Sequence, residues 1–185
     1  VLVGPSGSGK STFARKHFRP TEVISSDTCR GLVSDDENDQ SASKDAFEVL
    51  GFIAGKRLGA GLLTVIDATN VQPEARKPLV ALARAHDLQV AAIVLDLPDK
   101  VCLERNASRP DRSFGAHVVR GQTTTLRRSL RKLRDEGVRH TWVLRSPEDV
   151  DAATIVRTPL WTDRRSEHGP FDLIGDVHGC GDELE

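Results

Sequence analysis

The sequence predicts an α/β fold in which a parallel sheet is flanked by helices on both faces. Two observations predict it. Short apolar runs alternate with segments of helical periodicity, the pattern of successive βαβ units. Between the first such run, Val1-Leu2-Val3, and the first helical segment lies Gly4-Pro5-Ser6-Gly7-Ser8-Gly9-Lys10-Ser11, a full match to the P-loop pattern G-x-x-x-x-G-K-[ST]. The chain has 185 residues, enough for one such domain with a real core.

Each element follows from local pattern. Val1 to Val3 suit the end of a buried strand, and the stretch from Thr12 can start a helix that Arg19-Pro20 stops. Residues 21–25 read as a second strand. Its carboxyl end delivers Ser26, Asp27 and Arg30 to the crevice where open α/β sheets bind ligands. Residues 34–40 are acidic and aperiodic and are expected to form a mobile loop. Residues 41–60 repeat Ala46, Phe47, Leu50, Ile53, Ala54 and Leu58 at helical spacing, with Gly59 and Gly61 ending the helix. Residues 62–66 read as a buried strand that delivers Asp67.

Pro73 opens the next helix, with Leu79, Val80, Leu82 and Ala83 as its apolar face. Residues 89–95 form a strand ending in Asp96. A short helix over 99–108, a loop over 109–115 and a long helix over 116–136 follow. Val119, Leu126, Leu130 and Leu133 make the long helix's buried stripe and Gly137 its C-cap. Residues 141–144 read as a last core strand, 147–152 as a helical turn and 155–160 as an extended piece. This organises the chain as a P-loop domain over 1–160, a polar linker over 161–170, and the first strand of another domain over 171–185.

Composition narrows the classes. No apolar run approaches the ~18 residues of a membrane span. Cys29, Cys102 and Cys180 are scattered and form no C-x-x-C pair, which argues for free thiols in a reducing, cytoplasmic setting and against a zinc site. Methionine is absent and the first residue falls inside a strand, so the chain reads as a piece of a longer protein. Net charge is −1, yet residues 101–145 hold eleven Lys/Arg against four Asp/Glu. Nearly all are arginine, whose planar fork matches phosphate oxygens.

The chemistry centres on the P-loop. Its glycines let backbone N–H groups turn inward at a helix N-terminus. Gly7, Ser8, Gly9, Lys10, Ser11 and Thr12 are expected to cradle the phosphates of ATP or another NTP. Lys10 reaches the β/γ-phosphates and the Ser11 hydroxyl ligates Mg²⁺. Asp67 ends an apolar strand, as a second metal-site carboxylate would, and holds Mg²⁺ through water; Asp96 is its competitor, and a turn organised by Asp67 and Asn70 is the structural alternative. Asp27 stands where the base of an alcohol kinase belongs, and Arg30 can grip an anionic acceptor. Arg105, Arg109 and Arg112, spaced by four and three, suit a lid that closes arginines over phosphates. The expected class is therefore a P-loop phosphotransferase with an arginine-bearing lid.

Downstream, Gly175-Asp176-Val177-His178-Gly179 resembles the opening signature of calcineurin-like metallophosphoesterases, whose Asp and His bind one metal of a dinuclear site. The order P-loop, Ser-Asp-x-x-Arg, Asp-Ala-Thr-Asn, arginine lid, linker and Gly-Asp-Val-His-Gly resembles the bacterial polynucleotide kinase-phosphatase of RNA repair over essentially the whole chain. That resemblance implies a kinase module that moves the γ-phosphate of an NTP, with Mg²⁺, to 5′-OH ends of RNA or DNA, joined to phosphatase and ligase-like modules. It implies Lys10 and Ser11 on phosphates and metal, Asp27 as general base, Arg30 on the acceptor phosphate, and Arg109 and Arg112, with Arg105, as lid arginines on the nucleotide. Two other readings share the P-loop: a kinase of a small-molecule alcohol, and a nucleotide-gated binding module without an acceptor. With no tyrosine and two tryptophans, the nucleic-acid footprint is expected to be short and dominated by phosphate contacts.

Overall fold

The computed structural model describes residues 1–108, 115–158 and 166–171. The chain divides into two compact units, Val1–Thr154 and Ile155–Glu185. The first unit holds the parallel sheet. Strand β4 (Val90–Leu95) pairs with β1 (Leu2–Val3) on one side and β5 (Val138–Leu144) on the other, while β2 (Val23–Ser25) pairs with β3 (Val65–Asp67). All these pairings are parallel.

Two hydrogen bonds join the halves. The Gly4 N–H donates to Thr69 O at 3.0 Å, and Asn70 Nδ2 donates to Leu2 O at 2.9 Å. The order across the sheet is therefore β2-β3-β1-β4-β5. Asn70 makes this joint from a left-handed backbone (φ 50°), a conformation that asparagine tolerates better than other non-glycine residues.

Helices cover the sheet as the alternating pattern predicts. They are α1 (Lys10–His17), α2 (Ser26–Ser34), α3 (Ser43–Gly59), α4 (Pro73–Ala85), α5 (Asp99–Ala107), α6 (Ala116–Ser129) and the short α7 (Pro147–Ala152). Ala46, Leu50 and Ala54 of α3 pack with Ile24 and Ile66 beneath β2 and β3. Val80 and Ala83 of α4 and Leu126 of α6 pack with Val3, Ala92 and Val94. Phe13 and Ala14 bury the inner side of α1.

Helix ends explain where the structure departs from the sequence pattern. Leu62 and Leu63 are not strand residues. Gly61 (φ 66°) lets the Gly61 and Leu62 N–H groups fold back onto Leu58 O and Arg57 O, and Arg57 Nη2 holds Leu63 O at 2.8 Å. The apolar pair is spent on closing α3, half-exposed, and β3 begins at Val65. The long helix is also shorter than the pattern suggests. It ends at Ser129, tightens into a 3₁₀ turn over Leu130–Lys132, and closes at Gly137 (φ 101°), where Val138 N–H returns to Leu133 O.

Other departures concern exposure. Phe47 sits at the edge of α3's buried stripe, 37% exposed. β5 is an outer strand rather than a core one: Val138 alone is buried, and residues 139–142 are exposed. Residues 26–34 form α2, where the sequence pattern gives a strand end over 26–30. Over 34–40 the loop is tied down, with Arg30 Nη1 on Glu37 O at 2.7 Å and the Ser34 hydroxyl on Arg30 O at 2.9 Å. Among the described residues no helix is long and apolar enough to cross a membrane.

Arg76 fastens this frame from inside α4. Its Nη1 donates to Asn70 O at 2.7 Å, and Nε and Nη2 grip both Glu136 oxygens at 2.7 Å, a bidentate pair on a side chain only 1% exposed. Breaking a buried pair strands its partner. Arg76→Ala is expected to cost about 3 kcal/mol of unfolding free energy in a urea titration. The Arg76→Ala/Glu136→Ala double variant should lose clearly less than the sum of the two single losses; additive losses would show the pair is not coupled.

Candidate active site

The P-loop is shaped by what its neighbours leave room for. Gly7 (φ 79°) and Gly9 (φ 92°) adopt left-handed backbone, and a Cβ at Gly7 would run into the Cys102 carbonyl of α5. Ser8 N–H turns back to Pro5 O, and Phe13 N–H bonds Gly9 O to begin α1. The amides that α1 cannot satisfy internally, together with its dipole, make this end an anion seat. Lys10 Nζ is held over the loop by Gly4 O at 2.8 Å and Pro5 O at 2.9 Å.

A cavity of about 410 Å³ opens on this loop. Gly7, Gly9, Lys10, Ser11 and Thr12 line its floor. Ser8 is fully buried beneath it, with its hydroxyl 3.5 Å from Lys10 Nζ. One wall is Asp27 with Ser26, at the start of α2; another is Asp67, Ala68 and Thr69 after β3. Arg105 of α5 stands on a third side, its Nη1 3.3 Å from where a Gly9 Cβ would lie. The far end is closed by Lys16 and α7, where Lys16 Nζ donates to Asp151 O at 2.9 Å.

Asp27 is positioned by its helix start. Ser25 caps α2 by accepting from Asp27 N–H and Thr28 N–H, which turns the Asp27 carboxylate along the first turn. One turn on, Arg30 Nη1 donates to Asp27 Oδ1 at 2.8 Å. Arg30 is 5% exposed and does not line the cavity itself. Its Nε is buried with no hydrogen-bond partner among the described residues.

Of the two strand-end carboxylates, Asp67 opens on the cavity, while Asp96 accepts from Arg127 Nε at 3.0 Å and lies away from it. Asp67 is 5% exposed and makes no ion pair among the described residues. A buried carboxylate facing a hydroxyl-lined cavity without a cation partner is the donor chemistry that suits a hydrated Mg²⁺, with Ser11 on the floor of the same cavity. Asn70, beside it, serves the β1–β3 joint. Arg109, Arg112, Asp176 and His178 lie outside the described residues.

Sequence reasoning passed over Gln122. Its Oε1 accepts from the Ser6 N–H at 2.8 Å, tying α6 to the first half of the P-loop. The signal was available: Gln122 falls three residues after Val119 and four before Leu126, in phase with the buried stripe. Cys102, directly under the loop, is inert. Burial pushes its thiol up, only partly offset by the nearby Lys10 ammonium.

A stretch of 109 residues, 59% of the chain, is 32% identical to the Arabidopsis thaliana protein named transcription factor bHLH140; it spans 11% of that protein's length. The fold is similar to that of a provisionally named kinase from Chloroflexus aurantiacus, with TM-score 0.54 and 13% identity over 78% of this chain and 85% of that one. A looser likeness, TM-score 0.47 and 17% identity over 81% and 85%, is to shikimate kinase from Acinetobacter baumannii. The AAA_33 pattern, described as an AAA domain, matches residues 1–133. A kinase-like P-loop fold and that match over the site-bearing part together identify the chain as a member of the AAA_33 family of AAA domains.

Proposed function

We propose that this domain is a polynucleotide 5′-hydroxyl kinase, transferring the γ-phosphate of ATP or another NTP to 5′-OH ends of RNA or DNA. The observation that carries the phosphotransfer reading is that Asp27, braced by Arg30, shares one cavity with the P-loop, Asp67 and Arg105. Hydrolysis alone does not need a carboxylate braced by an arginine on the wall facing the phosphates. The polynucleotide acceptor is supported by the order of motifs, including Gly-Asp-Val-His-Gly downstream, and by the arginine-rich 101–145 stretch.

In this reading the P-loop amides and Lys10 hold the β- and γ-phosphates, and Arg105 neutralises charge that builds on the transferring group. The 5′-oxygen attacks the γ-phosphorus. Its proton passes to the Asp27 carboxylate as the bond to the β,γ-bridging oxygen breaks and the nucleoside diphosphate leaves. Mg²⁺, held by Ser11 and through water by Asp67, would supply charge neutralisation at the phosphates. Arg30 orients Asp27, and its assignment to the phosphate that follows the 5′-nucleoside rests on the order of motifs. Arg109 and Arg112 are assigned to the nucleotide phosphates as lid arginines. Downstream phosphatase and ligase-like modules and a cytoplasmic location belong to the same proposal.

The test is transfer of labelled γ-phosphate from ATP to a short 5′-OH RNA with Mg²⁺. The expected result is labelling that Asp27→Ala lowers by about a thousandfold or more while ATP still binds. Labelling of nucleosides or sugars and not of RNA would move the acceptor to a small-molecule alcohol; ATP binding without any acceptor-dependent turnover would leave a nucleotide-gated module.

A metal titration tests the Asp67 assignment. Asp67→Asn should raise the Mg²⁺ concentration giving half-maximal transfer by about tenfold, with ATP affinity in the absence of metal little changed. An unchanged Mg²⁺ dependence would remove Asp67 from the metal site.

A further inference from the structure

β5 ends the sheet order among the described residues, and its open side has a composition that neither the fold nor the active site uses. His140 and Trp142 point to the same face, two residues apart. Their rings stack with centroids 5.8 Å apart and planes within 22°. Both are exposed, Trp142 by 54%. They lie opposite Ala91 and Ile93 of β4, on the side of the strand away from Val143, which packs into the core. A stacked, preordered aromatic pair left largely in water adds little to folding and offers flat π-surface to a ligand.

Cations predominate around it, with Asp149 at the strand's far end accepting from the Arg145 and Ser146 N–H groups. Arg131, Lys132 and Arg134 lead into the strand, Arg139 lies within it and Arg145 follows it, all exposed. None of the five has a carboxylate within ion-pair distance among the described residues. The two acids of this stretch do little to cancel them: Glu136 is committed to Arg76, leaving Asp135. Rings on one face and guanidinium groups along the strand meet at an edge with no further strand beside it among the described residues.

We propose that this edge is a binding surface for single-stranded nucleic acid: one or two bases stack on Trp142 and His140, and flanking phosphates are met by Arg139, Arg145 and the cations of the preceding turn. Sequence-tolerant stacking combined with a track of cations is the chemistry that single strands are held by. Duplexes are disfavoured, because their bases are already stacked. The surface rests on the kinase reading only for its purpose, which is to hold a strand whose end is repaired; its existence stands on β5 alone. It also lengthens the footprint expected from composition, by stacking rather than by phosphate contacts alone.

The experiment uses the whole chain, no nucleotide, and a 5′-OH RNA of about ten nucleotides. Tryptophan emission is followed in a Trp161→Phe background, so that Trp142 is the reporter. Stacking should quench it on titration. Trp142→Ala should weaken binding, read by anisotropy of a labelled RNA, by about five- to a hundredfold, and Arg139→Ala should lower the slope of affinity against salt by about one. Both side chains are exposed, so both variants should keep wild-type ATP affinity and melting temperature; this separates loss of the surface from loss of the fold.

Unchanged RNA affinity in Trp142→Ala, or quenching that depends on protein concentration and not on RNA, as self-association would give, overturns the proposal. Failure of the two readings can be told apart. RNA binding through Trp142 without phosphoryl transfer would sink the kinase and keep the surface. Transfer to RNA with Trp142→Ala indistinguishable from wild type would do the reverse.

Discussion

The joint between β1 and β3 is the constraint on which this site depends. β1 has two residues, too short to hold a loop in place by strand pairing alone. It is fixed by β4 on one side and, on the other, by the Gly4–Thr69 and Asn70–Leu2 hydrogen bonds. The P-loop with Lys10, and Arg105 of α5 after β4, lie on the β1 side of that joint. Asp27 and Asp67 grow from the β2–β3 side. The cavity lies across the joint, at the carboxyl ends of the strands, where an open α/β sheet presents its loops. Arg76 secures it from below by taking Asn70 O and both oxygens of Glu136, so that α4 and the end of the α6 segment are clamped to the turn that makes the joint.

Around the joint, positioning is done by groups that brace the P-loop and Asp27. Gln122 holds Ser6 N–H from α6, and the Cys102 carbonyl presses against Gly7 from α5. Arg30 braces Asp27 and the 34–40 loop at once, through one nitrogen shared between Asp27 Oδ1 and Glu37 O. Phosphoryl transfer has a loose transition state with charge spread over several oxygens, so placement of cations and a base carries more of the work than covalent chemistry does. A rigid floor with short-range braces is the structure such chemistry asks for.

Legibility in the sequence followed the range of the interactions. The P-loop was fully legible because Gly7 and Gly9 must adopt positive φ, a local demand that leaves a local mark. Strand-end carboxylates were legible because β3 and β4 are apolar runs that stop at an acid. α2 left little mark: of its nine residues Cys29 is the one buried apolar side chain and Leu32 is 71% exposed, so no stripe forms, and the Ser25 cap is the remaining cue. Leu62 and Leu63 imitate a strand because a helix closure and a buried strand draw on the same residue types. β5 reads as core because an apolar run does not reveal that it lies at the edge. Arg76–Glu136 and Ser6–Gln122 are separated by 60 and 116 residues, and nothing near either member announces its partner.

The most direct test of the joint as the organising element is Asn70→Gly, which keeps the left-handed backbone and removes only the amide that binds Leu2 O. Single-turnover phosphate transfer to 5′-OH RNA would be measured beside ATP affinity. If the two halves of the site are registered through Asn70, ATP affinity stays near wild type while transfer falls by about tenfold or more, because phosphates still find the P-loop but Asp27 no longer meets them in register. Transfer at the wild-type rate would contradict the account and place the registration of donor and acceptor elsewhere in the fold.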